Sequence, residues 1–303
     1  MDKVKVGLLQ VQWVDDPIEA LEKVLELVDT TLQNNKLDLL CLPEFFTGAP
    51  WYMPNRAHLK GVIDDTIPGN ITTALGKLAK KYTTYILCGT IVERDNDKYY
   101  NSCVLLNDEG EIVGKARKIH RYSSELSNIE AGTEQMLVDT PFGKLGVCIC
   151  SDFWIPEMPR ILALRGAEII CIPGGSLTQN ISTTKSCMIA NSVQNVCYTL
   201  YASIVGGIEG VRSGRKVSIK FEGHSSVAGP RGMIESLDKE PGVIITELDM
   251  NELRSLRQVD TSFKETLFWS LWGRQPDLYK RLSEPYVGAK DDLASLVTNY
   301  LNS

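Results

Sequence analysis

Short apolar runs alternate with amphipathic segments along the first third of the chain. The runs Val4–Val11, Leu37–Leu42 and Tyr85–Val92 consist mostly of apolar residues, and they predict buried strands. The intervening segments Ile18–Asn34 and Thr72–Tyr82 carry apolar residues at helical spacing, three and four positions apart. This order of strand and helix predicts an α/β fold.

The rest of the chain continues with elements of similar length. Further strands are predicted at Tyr99–Leu106, Ile112–Ile119, Leu145–Cys150, Glu168–Ile172, Cys197–Ile204, Gly223–Ala228, Met233–Ser236 and Gly242–Asp249. Helices are predicted at Pro156–Arg165 and Thr183–Asn195, and the stretch from Asn251 onward is expected to be helix-rich. The segment Asn107-Asp108-Glu109-Gly110 predicts a hairpin turn, which excludes a purely parallel sheet. One α/β domain with a mixed sheet or a pair of sheets fits this pattern.

Composition and charge narrow the range of partners. The chain has 303 residues, of which 43% are hydrophobic, so it can bury a sizeable core. Its net charge of -6 argues against nucleic acid, because no basic stripe is present to bind phosphates. No run approaches the roughly 20 apolar residues of a membrane span, so no membrane partner is expected. Most of the eight cysteines lie inside apolar runs, which favours buried, reduced thiols in a cytoplasmic protein.

Three predicted strands end in reactive side chains. Glu44 follows the second strand, Lys118 lies near the end of Ile112–Ile119, and Cys150 ends Leu145–Cys150. Functional residues of α/β folds cluster beyond the carboxyl ends of strands. A thiol, a carboxylate and an ammonium are the nucleophile, base and electrostatic stabiliser that acyl transfer needs. Spacing alone leaves purely structural roles open for the carboxylate and the ammonium.

Metal and cofactor chemistry have little support in the sequence. Cys148 and Cys150 form a Cys-x-Cys pair, but the three histidines are scattered and supply no further ligands at suitable spacing. No glycine-rich phosphate-binding motif occurs, which argues against a nucleotide-binding module. We therefore expect neither a metal nor a cofactor.

The sequence around the three reactive residues resembles that of the nitrilase, or carbon–nitrogen hydrolase, superfamily. The matching motifs are Leu42-Pro43-Glu44-Phe45-Phe46, Arg117-Lys118-Ile119-His120, and Gly146-Val147-Cys148-Ile149-Cys150-Ser151-Asp152 followed by Pro156-Glu157. They occur in the family's order, and flanking segments such as Tyr100-Asn101-Ser102 are also similar. The resemblance as a whole covers roughly residues 3 to 250. Each motif alone is weak, whereas three in order are specific.

The resemblance implies a fold, a domain organisation and an assembly. The fold is a four-layer α-β-β-α sandwich with two mixed β-sheets. Residues 1–260 would form the carbon–nitrogen hydrolase domain, and residues 261–303 a C-terminal helical extension at an oligomer interface. The family is usually dimeric or larger, so a homodimer or higher homo-oligomer is expected. Packing of the extension on its own domain is the alternative.

The resemblance also implies roles for the strand-end residues. Cys150 corresponds to the nucleophile that attacks the substrate carbonyl and forms a thioester. Glu44 corresponds to the general base, which later activates the hydrolytic water. Lys118 corresponds to the oxyanion stabiliser, assisted by the backbone N–H of Ser151. Family members carry a second carboxylate that orients the lysine, and Glu125 is the candidate here, with Glu130 and Glu134 as alternatives.

Several residues near the motifs are candidates for binding the substrate. They are aromatic or lie in a loop that follows a predicted strand, and core packing or an ordinary turn would explain them as well. These candidates are Tyr52, Phe153, Trp154, Gly175 and Ser176.

Departures from family patterns bear on the substrate. Ser151-Asp152 stands where true nitrilases have Trp-Glu, which favours an amide over a nitrile. Phe153 and Trp154 occupy the stretch where carbamoylases carry an arginine, which disfavours an N-carbamoyl substrate. The sequence thus predicts hydrolysis of a small amide by water, with release of ammonia. A carbamoyl hydrolase or a nitrilase is the alternative. So is a non-catalytic binding member, because Asn191 and Gln194 replace two charged positions of the family.

Overall fold

Two β-sheets packed face to face form the centre of the protein. The structure is a computed structural model, and it describes residues 1–212, 215–258 and 269–283. The strands, in chain order, are β1 (Lys3–Gln12), β2 (Leu39–Cys41), β3 (Tyr85–Leu87), β4 (Ile91–Asp95), β5 (Lys98–Leu106), β6 (Ile112–Arg117), β7 (Leu137–Thr140), β8 (Gly143–Val147), β9 (Ile169–Pro173), β10 (Tyr198–Ala202), β11 (Ile204–Arg212), β12 (Arg215–Glu222), β13 (Ser226–Gly229), β14 (Gly232–Ser236) and β15 (Gly242–Asp249).

Seven α-helices occur among the described residues. They are α1 (Pro17–Asn34), α2 (Asn70–Tyr82), α3 (Glu125–Asn128), α4 (Glu157–Leu164), α5 (Ile181–Asn195), α6 (Met250–Leu256) and α7 (Trp269–Trp272). Single turns of 3₁₀ helix occur at Ala57–Leu59, Cys150–Trp154, Thr178–Asn180 and Leu278–Ser283. Among the described helices, none is both long and apolar enough to cross a membrane.

Both sheets mix parallel and antiparallel pairs. The first has the order β12-β11-β1-β2-β3-β5-β4, with β15 also paired to β1 and β6 to β5. The second has the order β14-β13-β10-β9-β8-β7. In the first sheet β1, β2 and β3 are parallel, and in the second β8, β9 and β10 are parallel. The hairpin of β5 and β6 is antiparallel, as its predicted turn requires.

The alternation along β1 shows how the layers form. Val6 and Leu8 point into the core between the sheets, where they join residues such as Leu145 and Leu200. Leu9 points to the other face and packs with residues of α1 and α2. Successive side chains of a strand face opposite sides, so a strand buried on both faces is a continuous apolar run. α4 and α5 cover the second sheet in the same way. The predicted four-layer α-β-β-α sandwich with two mixed sheets is confirmed.

Two predicted strands are divided in the structure. The segment Tyr85–Val92 forms β3 and β4 on opposite sides of β5, because the chain turns at Gly89, whose φ is +52°. The segment Cys197–Ile204 is interrupted at Ser203, where the chain leaves the second sheet and enters the first. Both predictions were wrong because apolar residues continue through each break, and burial is the same on either side.

Three further differences concern the other strands. The predicted strand Leu145–Cys150 ends at Val147, so Cys150 lies in a 3₁₀ turn rather than on a strand. β7 and the hairpin of β11 and β12 were not predicted. Their exposed faces carry polar residues, so these segments lack the continuous apolar runs that predict buried strands. In β12 the alternation of Val217, Ile219 and Phe221 with polar residues was a usable signal.

The C-terminal extension lies partly outside the described residues. Within it, Ser270 donates through Oγ to the carbonyl of Gln194 at 2.7 Å, and Arg160 donates to the carbonyl of Ser270 at 3.2 Å. The described part therefore packs on α4 and α5 of its own chain. The assignment of residues 261–303 to an oligomer interface stays a prediction.

A buried carboxylate, Glu93 on β4, links three strands of the first sheet. It accepts two hydrogen bonds from Arg117, at 2.8 Å each, one from Lys115 at 2.7 Å, and one from Ser102. Burial would raise the pKa of Glu93, but these hydrogen bonds outweigh it and lower the pKa from 4.5 to about 2. A carboxyl group with a lowered pKa in the folded state stabilises the fold above its ordinary pKa and loses this effect on acidification.

Replacing this carboxylate is expected to weaken the sheet in a pH-dependent manner. We expect Glu93→Gln to lower the free energy of unfolding by about 3 kcal/mol at pH 7. The difference from the wild type should shrink as the pH falls from 4.5 towards 2, because Glu93 itself becomes neutral there. Urea unfolding at several pH values measures it, with Glu235→Gln as an exposed control. A loss that stayed constant over this range would contradict the linkage.

Candidate active site

The three predicted strand ends meet at one cavity of ≈ 270 Å³ between the sheets' ends. Glu44 follows β2, Lys118 directly follows β6, and Cys150 follows β8. The ammonium of Lys118 lies 3.0 Å from Oε1 of Glu44. The thiol of Cys150 lines the same cavity, where burial and the nearby Glu44 carboxylate both raise its pKa. Glu44 and Lys118, which are 74 positions apart in the sequence, are thus in direct contact.

Cys150 is held at the start of a tight turn. Its φ of +45° is in the left-handed region, which is uncommon for residues with a Cβ. Asp152 stabilises this turn, because it accepts hydrogen bonds from the backbone N–H of Ile149 at 3.1 Å and of His120 at 2.7 Å. The carboxylate of Asp152 therefore ties the turn that carries the thiol to the strand end that carries the ammonium.

His120 contacts Asp152 and not the thiol. Its Nδ1 lies 2.9 Å from Oδ1 of Asp152. The carbonyl of His120 accepts a hydrogen bond from the hydroxyl of Ser151. This geometry agrees with a structural role for the histidine and leaves Glu44 as the base beside Cys150.

Glu125 is the second carboxylate of the site. Its Oε2 lies 2.8 Å from Nζ of Lys118, so the ammonium lies between two carboxylates. Both alternatives, Glu130 and Glu134, are exposed and do not line the cavity. The geometry therefore selects Glu125 among the three candidates.

Asn101 is a site residue that the sequence reasoning missed. Its Nδ2 donates to Glu44 at 2.8 Å and to Glu125 at 2.9 Å, so it fixes the spacing of the two carboxylates. It is fully buried on β5. The segment Tyr100-Asn101-Ser102 is similar to the family, and a polar amide inside an apolar strand is the sequence signal that points to a buried polar contact.

Burial and charge act against each other in this cluster. Burial lowers the pKa of Lys118, but the carboxylates of Glu125 and Glu44 outweigh it and raise the pKa well above its ordinary value. Burial raises the pKa of Glu44, against the opposing effect of Lys118. Burial also raises the pKa of the Cys150 thiol, and the Glu44 carboxylate adds to this effect. The resting site therefore holds a permanent ammonium and a protonated thiol whose proton already faces a carboxylate.

The predicted substrate-binding residues all line the cavity. Tyr52, Phe153, Trp154, Gly175 and Ser176 are among its lining residues, together with Ser151. The opposite wall was not predicted, because it comes from the hairpin of β11 and β12. It consists of Ile204, Val217, Ile219 and Phe221.

The two amides that replace charged family positions have structural contacts. Asn191 donates through Nδ2 to the carbonyl of Phe153 at 2.9 Å, and so supports the turn after Cys150 from α5. At Gln194 the backbone carbonyl, and not the side-chain amide, accepts the hydrogen bond from Ser270. The amide at position 191 thus anchors the turn that carries Cys150.

Metal ligation has no candidate set in residues 1–212, 215–258 and 269–283. No three His, Cys, Asp or Glu side chains come together there in a manner that would hold a metal ion.

Comparison with known proteins places this geometry in a family. The family model for "Carbon-nitrogen hydrolase" matches residues 5–258. A relative in Schizosaccharomyces pombe, named a probable nitrilase, is 30% identical over 270 residues, which are 88% of this chain and 93% of that protein. Human omega-amidase NIT2 is 26% identical over 280 residues, covering 88% of this chain and 95% of that protein.

Solved structures of related proteins have the same fold as this chain. Nit3 of Saccharomyces cerevisiae, described as a member of branch 10 of the nitrilase superfamily, has a TM-score of 0.74 and 26% identity over 87% of this chain and 96% of its own. A carbon–nitrogen hydrolase from Helicobacter pylori has a TM-score of 0.82 at 22% identity, over 94% and 99% of the two chains, and supports the fold alone. The resemblance found in the motifs is therefore confirmed: the chain belongs to the carbon–nitrogen hydrolase family and is an enzyme of that class.

Proposed function

We propose that the protein hydrolyses the C–N bond of a small amide, with release of ammonia, through a thioester on Cys150. One observation carries the proposal. The thiol of Cys150 and the ammonium of Lys118 both contact Glu44 at the wall of a single cavity. A nucleophile, a base and a cation so arranged supply each function that acyl transfer requires. The names of the relatives, several of them omega-amidases, support amide chemistry.

Acylation of the thiol is the first half of the reaction. The sulfur of Cys150 attacks the amide carbonyl while its proton passes to the neighbouring Glu44 carboxylate. The negative charge that develops on the carbonyl oxygen is stabilised by the ammonium of Lys118 and the backbone N–H of Ser151. Glu44 then gives its proton to the nitrogen, the C–N bond breaks, and ammonia leaves. The raised pKa of the thiol suits this order, because proton transfer accompanies attack and no resting thiolate is needed.

Deacylation uses the same groups in the opposite sense. A water molecule gives a proton to Glu44 and attacks the thioester carbonyl. The tetrahedral intermediate is stabilised by the same two donors, the C–S bond breaks, and the proton returns to the sulfur. Glu125 acts as a positioning residue, because it holds the ammonium of Lys118 at 2.8 Å from the side opposite Glu44.

Two amides that differ only in their leaving group provide the test. A primary amide and its N-methyl analogue would give the same thioester, so hydroxylamine should divide it between hydroxamate and acid in one constant ratio. We expect ammonia from small primary amides, an acyl mass on the peptide that contains Cys150, and equal ratios from both substrates. Unequal ratios would argue against a shared covalent intermediate.

The same screen addresses the alternatives. It should include a nitrile and an N-carbamoyl amino acid, since both compounds could react by related chemistry on this fold. Turnover confined to either of them would replace the amide as substrate. Absence of turnover on every compound, together with no acyl mass on Cys150, would favour a non-catalytic binding member.

We further propose a cytoplasmic homodimer or higher oligomer. All eight cysteines are free thiols, which supports a reducing compartment. Ile161 and Leu164 on α4 are each 44% exposed, and Ile189 on the adjacent α5 is 37% exposed. Neighbouring exposed apolar side chains of this kind support contact with a second subunit, which the mass in solution would test.

A further inference from the structure

The unpredicted wall of the cavity is apolar and leads away from the thiol. Phe221 and Ile204 pack beside Gly175, which lines the cavity together with Cys150. From Phe221 the wall continues along β12 through Ile219 to Val217. The four residue steps from Val217 to Phe221 span about 13 Å of strand, so this wall is long enough to contact an acyl chain of several carbons.

Alternation along β12 keeps its nearby lysines off this wall. Lys216 and Lys220 point to the opposite face and are exposed, and Lys220 lies 3.6 Å from Glu222. By the same alternation Arg215 lies on the face of β12 that carries the apolar residues, but it is exposed at the tip of the hairpin and does not line the cavity. The hairpin residues that are described as lining the cavity therefore add apolar area to it and no cation.

The charges that do line the cavity are already paired. Among the described lining residues, the ionised side chains are Glu44, Glu125 and Lys118. Lys118 contacts both carboxylates, at 3.0 Å and 2.8 Å. With both carboxylates ionised the cluster carries one net negative charge. A carboxylate on the acyl chain of an amide would enter a partly buried, apolar site without a free cation among the described lining residues, and it would be repelled by this cluster.

We propose that the substrate is a primary amide with an uncharged, apolar acyl chain, and that the cavity discriminates against amides that also carry a carboxylate. This inference rests on the proposed amide hydrolysis and specifies its substrate class. It follows from the wall formed by β12 and from the lack of an unpaired cation among the described lining residues. Relationship to proteins named omega-amidases does not by itself transfer their substrates to this chain.

Two nearly isosteric amides test the proposal. Glutaramate and 5-methylhexanamide have the same length and a branched end, and they differ in two carboxylate oxygens against two methyl groups. We expect kcat/KM, from ammonia release at pH 7, to be at least about 100-fold higher for 5-methylhexanamide. Glutaramide, which is polar but uncharged, should lie between the two if charge is the main cause. Equal or higher kcat/KM for glutaramate would overturn the inference.

A pair of lysine variants places the effect on the wall. Ile219→Lys puts a cation on the cavity face of β12, whereas Ser218→Lys puts the same charge on the exposed opposite face. We expect Ile219→Lys to raise kcat/KM for glutaramate by about 10-fold or more and to lower it for 5-methylhexanamide. Ser218→Lys should leave the ratio of the two substrates as in the wild type.

The outcomes separate this inference from the proposed function. If glutaramate is preferred and still gives a thioester on Cys150, amide hydrolysis stands and the substrate class is wrong. If neither amide releases ammonia nor acylates Cys150, the proposed function fails and the inference fails with it. If 5-methylhexanamide is preferred but Ser218→Lys changes the ratio as much as Ile219→Lys, the discrimination does not arise at the wall.

Discussion

Replacing Cys150 with alanine is expected to lower kcat/KM for amide hydrolysis by at least about 10⁴-fold, while the protein stays folded. The loss follows from removal of the proposed nucleophile, which lies beside Glu44 and Lys118 in the cavity. The fold should tolerate the change, because the thiol lines a cavity and only a small side chain is shortened. Ammonia release under single-turnover conditions and thermal unfolding measure the two properties.

Cys148 is the matched control for this variant. It lies two residues earlier and is fully buried among Phe153 and Met158 on the outer face of the second sheet. Cys148→Ala should cost about 1–2 kcal/mol of unfolding free energy through lost packing and leave kcat/KM per folded molecule close to the wild type. If Cys148→Ala abolished activity and Cys150→Ala retained it, the nucleophile would be misassigned.

Lys118→Met is expected to lower the free energy of unfolding by about 3–5 kcal/mol at pH 7 and to remove measurable activity. Lys118 is 2% exposed, and it is the cation that both Glu44 and Glu125 contact. Methionine fills similar space but leaves two buried carboxylates facing each other without a counter-charge. The activity is lost because the developing oxyanion also loses its cationic partner.

The pH dependence of this loss has a definite sign. Without Lys118, burial and repulsion from Glu125 raise the pKa of Glu44 further above its ordinary value. A carboxyl with a raised pKa in the folded state binds more protons there than in the unfolded chain. The variant's stability should therefore fall as the pH rises from 4.5 through the raised folded pKa, and acidification towards 4.5 should recover part of it.

Lys115 provides the control for Lys118. It also pairs with a buried carboxylate at the end of β6, at 2.7 Å from Glu93, but Arg117 and Ser102 still satisfy that carboxylate when Lys115 is removed. Lys115→Met should cost about 1 kcal/mol or less and keep the activity. Urea unfolding of both variants between pH 5 and 8 makes the comparison. Similar, pH-independent losses would contradict the account of an uncompensated carboxylate pair.

The sequence predicted the parts of the site that depend on local pattern. Glu44, Lys118 and Cys150 each stand at or near the end of an apolar run, and both the runs and the flanking motifs are visible without knowledge of contacts. The class of fold, the family and the enzyme class followed from those motifs and are confirmed. The catalytic roles stay predictions that the variants above would test.

The remaining parts depend on contacts between distant segments. Asn101 is indistinguishable in sequence from any buried amide until its two carboxylate partners, 57 and 24 positions away, are known. The break at Ser203 lies inside a continuous apolar segment, because each half is buried in a different sheet. The hairpin wall required a short alternating pattern to be recognised and then placed over the thiol. Local propensity carries no signal for such placement.

The pairing of β1 with β15 bears on how this protein is made. β1 lies beside β2, near the start of the chain, and its other edge is paired with β15 over eight residue pairs, from Lys3 with Asp249 to Gln10 with Gly242. During synthesis that edge stays open until nearly 250 residues have left the ribosome. Loops of this length make folding slow, and an uncovered apolar strand can aggregate in the meantime. Nascent chains arrested before β15 should consequently depend on chaperones, whereas chains that include it can close the sheet themselves.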